Sequence, residues 1–253
     1  MKKEEQLLKC VADIGRQMIE NGAEIARVED SVRRICFSYG YTSIDVFCLP
    51  SYITVTIEDE DGNRHTDSRR VVSRSTDLNK LDLLNSLSRR VCSQGLDVDT
   101  FTEELKKIKG GRAYKLWVHI LAGMVIASAF TLFFEGTVVD SLVAAAGGAV
   151  LELLIFFCSR AKMNKIVANV ICSFVLCSMT FIAKILGIAQ GVDAIIISNI
   201  FILVPGIQLT NSVRDLFSGD VISGSLSIVE ACLITLAIAI GYMPAVLIFG
   251  GAL

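Results

Sequence analysis

Apolar residues along this chain first recur at helical spacing, then alternate, and beyond Tyr114 become almost continuous. From Glu5 to Glu20, Leu7, Leu8, Val11, Ile14 and Met18 fall at three- and four-residue steps, which predicts an amphipathic helix ending at Asn21-Gly22. A second helix is predicted from Ala23 to Tyr39. Ile25, Val28, Val32 and Ile35 form its apolar face, Arg27, Glu29, Arg33 and Arg34 lie mostly opposite, and Gly40 stops it. Tyr52 to Ile57 alternates β-branched apolar residues with threonine, and Asp61-Gly62 is a reverse-turn signal before Arg64 to Val72, so a hairpin is predicted, with Ser43 to Leu49 as a preceding strand. Leu78, Leu81, Leu84, Leu87 and Val91 mark a third helix. Thr100 and Glu103 are spaced as a capping box opening a fourth, which closes in Lys106, Lys107 and Lys109.

After that the period disappears. Leu116 to Phe134, Val138 to Cys158, Ile166 to Ala183, Ile185 to Leu209 and Ile222 to Phe249 are each long enough, at about 1.5 Å per residue, to cross roughly 30 Å of hydrocarbon. The expected fold is an α+β cytosolic N-terminal domain, residues 1–113, followed by an all-α polytopic membrane domain of about five transmembrane helices, residues 114–253. The junction is expected near Gly110-Gly111. Lys106, Lys107, Lys109, Arg112 and Lys115 flank the first span, Arg160, Lys162 and Lys165 separate the second from the third, and Arg214 follows the fourth, with only Lys184 opposed. Basic loops stay in the cytoplasm, which places the N-terminal domain inside and Leu253 outside a cell membrane crossed several times.

Composition explains the division: 53% of the 253 residues are apolar, yet 20% are charged, and those charges crowd before residue 115. A net charge of −2 with mixed signs argues against a nucleic-acid partner. Eight cysteines show no Cys-x-x-Cys spacing and no histidine at zinc-ligand distance, so neither a metal site nor a disulfide framework is expected, and reduced thiols in a reducing cytosol fit. The N-terminus lacks the apolar core and cleavage site of a signal peptide, making the first span the first insertion signal. No phosphate loop and no Ser-His-Asp grouping is visible, so the chain is not expected to be an enzyme or to carry a cofactor.

Polar residues inside apolar helices carry the candidate chemistry. An apolar run meets Pro205-Gly206 and then the polar stretch Gln208, Thr210, Asn211 and Asp215. Proline deletes a backbone hydrogen bond and clashes one turn back, and a broken helix frees the carbonyls that transporters use for small polar solutes and coupling ions. The alternative is a kink that runs into a cytoplasmic loop. Glu152 and Glu230 lie inside spans, where an ionised carboxylate costs at least roughly 2.5 kcal/mol and needs either a proton or substrate-ammonium role or a helix–helix hydrogen bond. Asp140 and Asp193 sit nearer helix ends, Asn169 and Asn199 are interhelical glue or ligands, and His119 lies in the interface or relays protons. Arg27 with Glu24, Glu29 and Asp30 gates a cytosolic entrance or solvates a helix face. Gly147-Gly148, Ala144 to Ala146, Gly219, Gly224 and Ser225 permit close packing.

The stretches Asn21 to Arg34, Leu49 to Val55 and Val204 to Leu216, in that order along nearly the whole chain, resemble the threonine/serine exporter family. Full-length members of that family fuse this module to a second, smaller membrane half of about five spans, so the resemblance implies the larger subunit of a split pair, with a smaller membrane subunit as partner and assembly size open. It implies export of threonine and serine or of a dicarboxylate such as succinate, without choosing among small polar metabolites. The leading expectation is a proton-driven secondary exporter subunit using Glu152, Glu230, Asn199, Pro205, Gly206, Gln208, Thr210, Asn211 and Asp215. A membrane-anchored hydrolase and a membrane scaffold or sensor are the alternatives.

Overall fold

The computed structural model describes residues 3–111 and 114–250; the basic flank residue Arg112 and the outward end Leu253 lie outside the described residues. Two compact units are present, Met1–Arg112 with Gly206–Val229, and Ala113–Pro205 with Glu230–Leu253.

The first unit contains α1 (Lys3–Glu20), α2 (Ile25–Ser38), strands β1 (Ile44–Leu49), β2 (Tyr52–Glu58) and β3 (Arg64–Arg70), then α3 (Leu78–Gln94) and α4 (Val98–Lys109). The strands form one antiparallel sheet in the order β1-β2-β3, with Leu49 opposite Tyr52 and Glu58 opposite Arg64. Alternation decides which face of β2 is buried: Ile53, Val55 and Ile57 are at most 1% exposed. They meet Val11, Ile14 and Met18 of α1 and Val28, Val32 and Ile35 of α2 in one core, which Leu84, Leu87, Val91 and Phe101 complete. Each such side chain stabilises the fold by about 1.5–3 kcal/mol through burial. Gly15 permits the approach of α1 to the sheet, since a Cβ there would lie 2.4 Å from Cδ1 of Ile53.

One local expectation is corrected. Thr100 does not cap α4. Asp97 does, accepting from the backbone amide of Thr100 at 3.1 Å and from its hydroxyl at 2.6 Å. An aspartate three residues before an available amide satisfies the first turn earlier than the threonine can, so the helix starts at Val98.

The second unit is built from α5 (Leu116–Phe133), α6 (Val138–Arg160), α7 (Lys165–Ile185), α8 (Val192–Leu203) and the later turns of α10 (Val221–Phe249). Four described helices, α5, α6, α7 and α10, are long and apolar enough to cross a membrane, and α8 with α9 (Gly206–Phe217) brings the number to five when the bent pair is counted as one span. The predicted crossing from Ile185 to Leu209 is thus not one helix. Ile185 still belongs to α7, which ends before Gly187 at φ 72°; α8 begins only at Val192 and stops at Leu203. The chain bends by 57° between α8 and α9, and α9 belongs to the same compact unit as the N-terminal domain. The 29 residues of α10 are about 43 Å long and overreach the hydrocarbon by two turns.

Small residues set the helix spacing. A Cβ on Gly148 would lie 2.5 Å from the carbonyl oxygen of Gly123, and one on Gly241 would lie 2.2 Å from that of Val170, so α5 meets α6 and α7 meets α10 backbone to backbone. Asp140 closes the unit at the start of α6. It forms a capping box with Thr137 and accepts from the backbone amide of Gln190 at 2.7 Å, fastening the α7–α8 loop to the first turn of α6.

Candidate functional site

The polar stretch after the helix break folds against the N-terminal domain, within one compact unit. The helix α2 begins at Ile25 with Glu24 as its cap residue, but the Glu24 side chain makes no capping hydrogen bond. The first amides of a helix have no intrahelical acceptor and need one from elsewhere. Asp215 of α9, 190 residues away, supplies it: its Oδ1 accepts from the Ile25 amide at 3.1 Å. Beside it, the Asn211 side-chain amide donates to the Gly22 carbonyl at 3.1 Å, and Arg214 pairs with Glu24 at 3.2 Å. The i, i+3, i+4 spacing of Asn211, Arg214 and Asp215 puts all three on one stripe of α9, facing the α1–α2 turn.

The junction continues onto the sheet. The Ser223 hydroxyl of α10 donates to the Cys48 carbonyl at 3.2 Å, while Glu29 accepts from the Cys48 amide at 2.7 Å. Gln208 donates to the Ser227 carbonyl, and Arg74 to the Ser227 hydroxyl. The α9–α10 hairpin is tight, because Gly219 turns at φ 93° and Gly224 lies where a Cβ would come within 2.9 Å of the Ser212 carbonyl. Thr210 is exposed, and its hydroxyl donates back to the Gly206 carbonyl within α9 at 3.0 Å. A Cβ added at Gly206 would meet nothing within 4 Å.

Four carboxylates meet here: Glu24, Glu29, Asp215 and Asp220. Asp215 is 2% exposed. Burial pushes its carboxyl up to about 6; the Ile25 and Ala26 amides oppose that rise, and the charges of Glu24 and Asp220 add to it. Glu29 is likewise raised by burial, against the Cys48 amide, with Asp220 adding to the rise and Arg33 opposing it. Of the mixed charges on α2, Glu24 and Glu29 are therefore structural contacts, whereas Arg27 and Asp30 are exposed, and Asp30 pairs with Arg34. Sequence reasoning placed Asn211 and Asp215 at a site but did not supply their partners. The available signal was Glu24, a poor capping residue at a helix start.

In the second unit, Glu152 of α6 is half-buried and lies over Gly123 of α5, in electrostatic reach of His119 one turn earlier. Asn199 of α8 is fully buried. Its Nδ2 donates to the Ile195 carbonyl at 3.0 Å, which orients the amide and leaves Oδ1 buried with no hydrogen-bond partner among the described residues, facing Gly147. Downstream, Pro205 has no N–H, so the Phe201 carbonyl lacks its intrahelical donor. Glu152, Asn199 and Pro205 thus belong to one unit and Gly206, Gln208, Thr210, Asn211 and Asp215 to the other, while the half-buried Glu230 stands on α10 where the second unit resumes. Among the described residues, no group of three or more His, Cys, Asp or Glu side chains is placed to hold a metal ion.

The N-terminal domain also carries a groove of about 580 Å³ beside Tyr39, Tyr41, Glu58, Asp59 and His65. His65 bonds Asp59 at 2.9 Å and, with the Asn63 amide, holds its carboxyl down to about 2. Thr42 is the only serine, threonine or cysteine in the lining.

An α+β domain joined to four or five apolar helices, with carboxylates and amides within those helices, defines a multi-pass membrane protein. A family model described as "Putative threonine/serine exporter" matches residues 9–249. The chain belongs to that family, and membership implies transport rather than catalysis. It is 22% identical over 240 residues to a Mycobacterium tuberculosis protein named "Probable threonine/serine exporter", an alignment covering 94% of this chain and 45% of the relative. It is 23% identical over 238 residues to a Klebsiella aerogenes protein named "Probable succinate transporter subunit YjjP", covering 92% and 90%. The chain therefore spans about half the length of the first relative and nearly all of the second. No solved structure matches it significantly.

Proposed function

We propose that this chain is the larger subunit of a two-part secondary exporter of small polar metabolites, most simply threonine- and serine-type amino acids, driven by protons. In this reading residues 1–113 are a cytosolic domain, residues 114–253 cross the cell membrane five times with the C-terminus outside, and a smaller membrane subunit completes the pathway. The observation that carries it is the break between Leu203 and Gly206 in an otherwise apolar path. A helix interrupted inside a membrane is tolerated where it lines a cavity, and its freed carbonyls serve as ligands.

The buried Oδ1 of Asn199, without a partner among the described residues, and the half-buried Glu152 and Glu230 support a polar path for substrate or proton in the membrane domain. Pro205 and Gly206 make the break; Gln208 and Thr210 stand just beyond it. Asn211 and Asp215 hold the α1–α2 turn and act by governing entry from the domain side. A second reading, a dicarboxylate exporter subunit, is favoured by the succinate transporter subunit that this chain matches over nearly its whole length.

Efflux of labelled threonine, serine and succinate from cells co-expressing the chain and its smaller partner tests both readings. One solute leaves faster only when both subunits are present, and Glu152→Gln, Asn199→Ala or Pro205→Ala abolishes that export at equal membrane abundance. Export unaffected by all three variants would remove the site, and no export of any solute would remove the function.

A further inference from the structure

The polar face of α9 does a job that its position after a span does not require: it caps a helix of another part of the chain. Three side chains on one stripe hold the turn between α1 and α2. Asn211 takes the Gly22 carbonyl, Arg214 the Glu24 carboxylate and Asp215 the Ile25 amide. Two of these partners are backbone groups at a helix end, which water satisfies equally well when the contact opens. Opening therefore leaves neither of these backbone groups without a hydrogen-bond partner.

We propose that α9 and the α1–α2 turn form a proton-operated latch of the exporter, shut while Asp215 holds a proton and released when that proton leaves. The inference rests on the exporter reading and names the group through which pH acts on it.

The geometry explains the coupling. With Oδ1 accepting from Ile25, a neutral carboxyl still caps the helix. When the proton leaves, a buried charge faces Glu24 from the α2 cap and Asp220 from the α9–α10 turn, with Glu29 of α2 next to Asp220; of the basic side chains, Arg214 pairs with Glu24 and Arg33 acts on Glu29. Arg214 is 61% exposed and already engaged by Glu24, so it compensates little. Opening returns Asp215 to water, where an ordinary carboxyl releases its proton. The closed state binds the proton more tightly, so closing takes a proton up and opening gives one back. With the carboxyl moving between about 6 closed and 3.8 open, the open-to-closed ratio rises about tenfold from pH 5 to pH 7.5.

The Ile25 amide is the direct reporter, because as the first residue of α2 it has no intrahelical acceptor. Hydrogen exchange of the segment 22–30, corrected for the intrinsic pH dependence of exchange, is measured on the full chain in detergent micelles at pH 5, 6 and 7.5. Protection of Ile25 and Ala26 falls about tenfold over that range in the wild type, whereas the buried face of α3 does not change. Asp215→Asn keeps an oxygen acceptor of the same shape and removes the titration, so its profile is flat. Asp220→Asn removes a facing charge and shifts the transition to lower pH, which provides a second reading if the first variant does not fold. A wild-type profile without slope, or an Asp215→Asn profile that keeps the wild-type slope, overturns the latch. Because exchange is read without transport, a pH slope in a chain that exports nothing overturns the exporter reading and leaves the latch, and export without a slope does the reverse.

Discussion

The backbone amide of Ile25 donates to the carboxylate of Asp215 across 190 residues of chain, so one helix is capped by a side chain from another. The bond joins two segments that sequence reading treats separately, a surface helix of the N-terminal domain and the polar run after a broken span.

Removing that cap destabilises the first unit. Asp215→Ala is expected to cost about 1 kcal/mol, in the range of lost N-caps, and Asp215→Asn only a few tenths, because the amide oxygen still accepts from Ile25. Thermal unfolding of the two variants at pH 6, followed by intrinsic fluorescence of the detergent-solubilised protein, distinguishes them; equal midpoints would show that the cap contributes nothing.

The pH dependence has a definite sign. Since the folded chain binds the Asp215 proton more tightly than the unfolded chain does, this group's contribution is fully present below the ordinary carboxylate range and is lost as pH rises through about 6. Relative to Asp215→Asn, the wild type loses about 1 kcal/mol of stability between pH 5 and pH 7.5. A difference that grows in favour of the wild type over that range contradicts the assignment.

Helix spacing in the membrane unit depends on glycine. Gly148→Ala forces a methyl to within 2.5 Å of the Gly123 carbonyl oxygen, a contact that only separation of α5 from α6 relieves, at about 1–3 kcal/mol. Gly206→Ala meets nothing within 4 Å and is expected to leave stability within about 0.5 kcal/mol. The yield of monodisperse protein after extraction ranks the two variants.

Asp140→Ala strands the Gln190 amide and opens the α6 capping box, at about 1–3 kcal/mol for the unsatisfied donor. Limited proteolysis then cuts the loop between α7 and α8 sooner than in the wild type, while the N-terminal domain is cleaved at an unchanged rate.

Cysteine reactivity divides by burial. In the N-terminal domain Cys92 is exposed, whereas Cys10, Cys36 and Cys48 are buried and their thiols are pushed up by desolvation, Cys10 and Cys36 to about 12. Maleimide at pH 7 labels Cys92 first; peptide mapping that finds Cys10 modified equally fast would contradict the packing of the core.

What the sequence by itself determined is whatever burial writes into local pattern. Leu7, Val11, Ile14 and Met18 recur at helical steps and pack inward; Ile53, Val55 and Ile57 alternate and line one face of β2; long apolar runs make α5, α6, α7 and α10. The helix break was legible at Pro205, because proline's missing N–H acts wherever it sits. The extent of the helices around it was not, since Ile185 is as apolar in α7 as it would be in the next span. Nor did the sequence show that Asp97 rather than Thr100 caps α4, a competition settled by which acceptor reaches the amide first. Above all, only the tertiary structure decided that Asp215 meets Ile25, Asn211 meets Gly22 and Asn199 faces Gly147. Hydrophobic periodicity specifies which side of an element is buried and is silent about which element covers it, so polar contacts between residues far apart in the chain appear only once the helices have packed.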